Sequence, residues 1–134
     1  LEAVTYRISI SEKLQKAVQL QGFVEHQQLE ILYNQHQYFV LGSHFEGSGY
    51  ALLEAMACGC GPIVTKIPSF EYMTNNGDCA LLFSPKNEAE LLAQLRKSKV
   101  VNYEEQQQKV LNHFDNKLSF QAIANEIEFV FQSL

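Results

Sequence analysis

The sequence has no dense run of basic residues. Its most concentrated positive charge is "RKSK", Arg96 to Lys99, in a chain of formal net charge −5. A surface that tracks nucleic-acid phosphates needs clustered Lys and Arg, so this composition argues against nucleic acid as a partner. Long apolar runs are missing too. None approaches the ~18 residues that would cross a bilayer, and no signal-peptide pattern opens the chain. Cysteine is scarce and odd in number: Cys58, Cys60 and Cys79. The C-x-C pair lacks the spacing typical of zinc ligands, and His26, His36, His44 and His113 show no ligand spacing either. The expectation is no metal site, with small buried thiols in a reducing, cytoplasmic compartment. No Gly/Ser/Pro linker and no internal repeat divides the chain. Its 134 residues read as one domain, or part of one, able to bury roughly two thirds of the unfolded surface. With 46% hydrophobic and 19% charged residues, wholesale disorder is not expected.

What is present alternates short apolar runs with amphipathic ones. "VTYRISI" (Val4 to Ile10) alternates like a half-buried strand, "SEKLQKA" reads as a helical turn or loop, and "VQLQGF" (Val18 to Phe23) as a short strand stopped at Gly22. His26 to Asn34 puts Leu29, Leu32 and Tyr33 on one helical stripe, and "YFVLG" has the continuous apolar character of a parallel strand covered on both faces. A helix over Tyr50 to Cys58 is followed by the strand "PIVT", a short helix in "PSFEYMTNNG" with Ser69 as its cap, and the strand Cys79 to Phe83. Three further helices are predicted: one opening at Asn87, one over Tyr103 to His113, one over Leu118 to Phe131. Strands separated by helices imply an α/β, Rossmann-like three-layer domain with a mainly parallel sheet. The stripe Ile123, Ile127, Val130 and Phe131 lacks flanking Lys or Arg, which favours docking on a protein over a membrane surface.

The stretch "HFEGSGYALLEAMACGCGP" concentrates the chemistry. In such sheets ligands bind beyond the carboxyl ends of the strands, where a strand turns into a helix. Gly47 and Gly49 clear side chains from the start of the helix, whose free N–H groups and dipole favour an anion, phosphate in particular. Glu54 is the one charged residue between Gly47 and Pro62, on a helix expected to be largely buried through Ala51, Leu53, Ala55, Met56, Ala57 and Cys58. Burying an ionised carboxylate costs several kcal/mol unless it is paired. It therefore either pairs with a residue distant in sequence, sits at an exposed rim, or accepts hydrogen bonds from a ligand's hydroxyls, as acids at a ribose do. Glu46 and Glu54, eight residues apart with ~1.5 Å rise per helical residue, stand ~10 Å or more from each other. That exceeds the ~5–9.5 Å of a hydrolytic carboxylate pair, so the two more naturally grip separate parts of one long ligand.

From about Gly22 to Leu95 the sequence resembles the C-terminal domain of the retaining group 1 glycosyltransferases, glycosyltransferase family 4, with its two-Rossmann architecture. The match centres on an E-x7-E motif, "EGSGYALLE", followed by "EAMACG" and the turn "GCGP". The resemblance implies a nucleotide-diphospho-sugar donor, transfer with retention of configuration, and no obligate metal or other cofactor. It places Glu46 near the reacting carbon of the sugar. Gly47 and the backbone N–H groups around Ser48, Gly49, Tyr50 and Ala51 would meet sugar hydroxyls and the diphosphate, Glu54 the ribose, and Phe23, Val24 and Glu25 the base. The family usually has an apolar residue at Ser48, a Gly pair near Ile67 and Pro68, and Gly at Ala80. Its Arg and Lys for the diphosphate lie upstream of the matching region, and Arg7, Lys13 and Lys16 do not reproduce that pattern. Lys66 is only a nearby positive charge. The resemblance thus implies a partial donor-binding domain whose N-terminal acceptor domain is absent, inactive alone, from an enzyme of glycan synthesis that works at a membrane surface by analogy. A sugar-nucleotide epimerase of the same architecture and a non-catalytic module with a vestigial pocket are the rival classes.

Overall fold

The structure is a computed structural model that describes residues 16–134. The strand expected over Val4 to Ile10, and most of the segment after it, lie outside the described residues. Three parallel strands, β1 (Tyr38–Leu41), β2 (Gly61–Thr65) and β3 (Leu81–Phe83), form one sheet in the order β1-β2-β3. Tyr38 is opposite Gly61 and Ile63 opposite Leu81, so all three carboxyl ends open on the same edge.

Side-chain alternation along the strands builds two cores. Val64 of β2 packs with Leu52, Met56, Phe70 and Val110 on one face, joined by Phe39, Leu41 and Leu82. Ile63 packs on the other face with Leu81 and Phe83, joined by Tyr38 and Leu91. The first face is covered by α2 (Tyr50–Ala57), α3 (Pro68–Met73) and α5 (Tyr103–His113); the second by α4 (Glu88–Ser98). Helices therefore lie on both faces of a parallel sheet, as continuous apolar strands require. The helix α1 (His26–Asn34) packs beside α2, and Tyr33 sets its ring edge-on to Phe39 at 5.9 Å.

Capping fixes several helix starts. The Asn87 side chain accepts from the Glu90 N–H at 3.1 Å, and the Glu90 carboxylate accepts from the Ser84 N–H at 2.6 Å. That second bond holds the Glu90 carboxyl below its usual range, and it ties the end of β3 to α4. Asn102 caps α5 in the same way.

Several expected elements differ. Val18 to Phe23 is not a strand: Phe23 is 87% exposed, Gly22 takes φ +66°, and no ladder partner pairs with the segment among the described residues. Ser69 does not cap α3. Pro68 occupies its first turn, where a missing N–H costs nothing, and Ile67 is the capping position. β3 begins at Leu81 because Asn75, Asn76 and Gly77 all take positive φ and turn the chain through Cys79. The last helix, α6 (Phe120–Gln132), begins two residues late because Phe114–Leu118 forms a π-turn, after which the Ser119 hydroxyl accepts from the Ala122 N–H. α6 has no buried residue and leaves Phe120, Phe129 and Phe131 exposed. On α2 the buried residues are Leu52, Ala55 and Met56, whereas Ala51 and Ala57 face outward. No helix among the described residues is long and apolar enough to cross a membrane.

Candidate functional site

β1 ends at Leu41 and α2 begins at Tyr50, so Gly42 to Gly49 form a loop at the carboxyl edge of the sheet. Thr65, the last residue of β2, anchors this loop by donating its hydroxyl to the Ser43 carbonyl. Ser43 in turn donates its own hydroxyl to the Glu46 carboxylate at 3.3 Å. The sheet thus fixes Glu46 through two successive hydrogen bonds, leaving it half-buried at the helix mouth.

Gly49 is the N-cap of α2 at φ +59°, and its carbonyl accepts from the N–H groups of Leu52 and Leu53. A Cβ there would meet the end of the Met73 side chain at 2.7 Å. Both the left-handed backbone and the close approach call for glycine. Gly47 is different, since its φ is outside the left-handed region and a Cβ would meet nothing within 4 Å. No side chain among the described residues caps α2. Its first N–H groups, at Tyr50 and Ala51, are the ones a helix cannot satisfy internally, and both residues are exposed beside exposed Gly47 and Ser48.

Glu54 lies in the second turn of α2. It is neither fully buried nor alone: its side chain is 35% exposed, Oε1 is 3.1 Å from His26 Nε2, and Oε2 accepts from the Tyr33 hydroxyl at 3.5 Å. Both partners come from α1. Burial pushes the Tyr33 hydroxyl pKa up, and the neighbouring Glu54 charge and hydrogen bond add to the shift, so Tyr33 stays a donor. The sequence puts Leu29, Leu32 and Tyr33 on one stripe of a helix, but nothing local says that His26 and Tyr33 of this helix meet Glu54, 28 residues beyond His26. Phe23 and Val24 lead directly into α1, with Phe23 exposed and Val24 half-buried.

A cavity of about 340 Å³ between α1 and α2 is lined by His26, Leu29, Glu30, Tyr33, Glu54 and Cys58. A larger one, about 590 Å³, lies between α3, the Asn75–Asn76 turn, the π-turn and α6. None of the residues from Glu46 to Glu54 lines the larger cavity, so volume and the sequence motif point to different places; the motif carries the more specific chemistry. Among the described residues no cluster of three His, Cys, Asp or Glu could hold a metal ion. Cys60 and Cys79 are free, buried thiols whose pKa burial pushes up to about 11, which makes them packing rather than reactive groups. His44 is exposed on the loop, and Lys66, just past β2, sits 3.8 Å from Glu71.

The family model described as "Glycosyl transferases group 1" matches residues 3–117. The chain belongs to the group 1 glycosyltransferase family. Two similar proteins are both named GDP-mannose:cellobiosyl-diphosphopolyprenol alpha-mannosyltransferase. The one from Xanthomonas oryzae pv. oryzae (strain PXO99A) is 45% identical over 65 residues, covering 48% of this chain and 17% of its own length. The one from Xanthomonas campestris is 44% identical over 71 residues, covering 52% of this chain and 19% of its own length. The match therefore spans less than a fifth of either relative. In this group 1 domain, the E-x7-E residues Glu46 and Glu54 stand at the mouth and in the second turn of one helix, at the sheet edge where ligands of parallel α/β folds bind.

Proposed function

We propose that this chain is the donor-binding part of a retaining glycosyltransferase that transfers a sugar from a nucleotide-diphospho-sugar to an acceptor. The observation that carries this is the uncapped start of α2 at the carboxyl end of β1, flanked by Glu46 and Glu54 and fronted by Gly47, whose missing side chain nothing among the described residues requires. A side chain absent without an internal reason is what close approach of a ligand to the backbone would call for.

In this proposal the diphosphate lies against the N–H groups around Ser48 to Ala51, in the positive field of the helix. Glu54 accepts from the ribose hydroxyls, and Phe23 and Val24 lie against the base. As the bond from the anomeric carbon to the diphosphate breaks, the leaving group takes the electron pair and positive charge grows on the sugar ring. The α2 amides stabilise the first charge, and Glu46, held by Ser43, faces the second. The acceptor hydroxyl then gives its proton to the departing diphosphate and bonds to that carbon on the face the diphosphate leaves, as retention requires. Following the family resemblance, we assign the remaining diphosphate charge to basic groups elsewhere in the longer protein rather than to a metal. The acceptor domain belongs to that same remainder, docking on the exposed stripe of α6. Three free thiols suit a reducing, cytoplasmic setting.

The test is a panel of nucleotide sugars with product analysis on the full-length protein, GDP-mannose first because the relatives' names specify it. Transfer to an acceptor with retained configuration is expected. Conversion of the donor without acceptor would indicate an epimerase, and failure to bind any nucleotide sugar would indicate a non-catalytic module.

A further inference from the structure

Glu54 is held by α1, and that contact has a consequence for what the site can select. A carboxylate offers about four acceptor positions. Here His26 Nε2 meets Oε1 at 3.1 Å and the Tyr33 hydroxyl meets Oε2 at 3.5 Å, one partner on each oxygen. The two partners stand seven residues apart on α1, two turns along the same face, so they brace the carboxylate from one side. No other partner among the described residues meets the remaining acceptor positions, and the Glu54 side chain is 35% exposed. A lone Glu in the second turn of a helix would sample several rotamers, whereas this one has a partner at each oxygen.

We propose that His26 and Tyr33 are positioning residues that aim the Glu54 carboxylate at the vicinal hydroxyls of the donor's ribose, and so set the preference for ribonucleotides over analogues lacking those hydroxyls. This rests on Glu54 being the ribose contact. Tyr33 is itself fixed, its ring edge-on to Phe39 of β1, so the brace is referenced to the sheet that also holds Glu46. His26 is the more exposed partner and makes the shorter contact. It is the first residue of α1, directly after Phe23, Val24 and Glu25, so a movement of that segment on binding a base would be transmitted to Glu54.

The experiment measures binding of GDP and of 2′,3′-dideoxy-GDP by calorimetry to the full-length protein and to His26→Ala, Tyr33→Phe, His26→Gln and Glu54→Gln, each matched for melting temperature. Wild type is expected to prefer GDP by about tenfold or more, and Glu54→Gln to lose most of that preference. His26→Ala should reduce the preference about threefold or more and Tyr33→Phe by less, given its longer contact, with affinity for the dideoxy compound unchanged in both. His26→Gln, which keeps a donor, should recover part of the loss. In a Glu54→Gln background, His26→Ala should have no further effect. Full preference retained in His26→Ala and Tyr33→Phe, but lost in Glu54→Gln, would overturn this inference and leave the Glu54 assignment standing. No preference in wild type, or none lost in Glu54→Gln, would overturn that assignment and this inference with it.

Discussion

Gly47 and Gly49 stand two residues apart and are glycine for different reasons. At Gly49 the chain itself requires the residue, through φ +59° and the nearness of Met73. The centre of the domain is like Gly49: Ile63, Val64, Phe70 and Val110 are fully buried, and each is explained by the neighbours it packs against. The segment from Glu46 to Ala51, Gly49 apart, is like Gly47. Its helix start is uncapped, its side chains are largely exposed, and its one open glycine meets nothing. Packing accounts for the first region and leaves the second unexplained, and that gap is the one the proposed donor would fill.

The comparison is most severely tested at Glu46. Glu46→Ala in the full-length protein should lower kcat about a hundredfold or more, the size of other preorganised electrostatic contacts, with a much smaller change in donor KM. Steady-state kinetics on a variant with the wild-type melting temperature checks this; a raised KM with kcat preserved would make Glu46 a ground-state contact only. In the buried region the largest effect falls on stability. Met56→Ala, at a fully buried position of α2, should cost about 2–5 kcal/mol in urea unfolding. Glu54→Gln comes next, weakening a charge-assisted hydrogen bond of about 1.5–3 kcal/mol and raising donor KM at least tenfold. Lower thermal stability with unchanged donor binding would instead make the contacts to His26 and Tyr33 structural.

The glycine pair gives the smallest and sharpest contrast. Gly49→Ala should destabilise the fold by about 1–2 kcal/mol, the ordinary cost of a left-handed backbone for an L-residue. Gly47→Ala should leave the unfolding midpoint unchanged and weaken donor binding. If both variants behaved alike in stability and binding, the distinction between the two regions would fail.

Much of the fold was legible because its signals are local. The stripe of α1, the apolar runs of β1 and β2, and the Asn87 cap with Glu88 and Glu90 behind it are each complete within a dozen residues, and the boundaries of α1 and α5 follow the sequence reading. The errors arose where a distant contact or an irregular backbone decided the outcome. Val18 to Phe23 has the composition of a strand but no partner among the described residues, and composition cannot supply one. Ser69 looks like a cap, yet Pro68 already serves as the first residue of α3. The π-turn over Phe114–Leu118 has no simple sequence mark. At the site, the order of Glu46, Gly47, Gly49 and Glu54 was readable from spacing. The pairing of Glu54 with His26 and Tyr33 was not, because it depends on α1 packing beside α2.

The central claim is that the donor lies on the β1–α2 loop and not in the larger cavity beside α3. Amide hydrogen exchange of the full-length protein, with and without saturating GDP-mannose, tests it most directly. The expected result is new protection concentrated in peptides covering Glu46 to Glu54, with a smaller change from Phe23 to Tyr33. Unchanged exchange there, with protection appearing instead across Pro68 to Asn76 and His113 to Leu118, would contradict it.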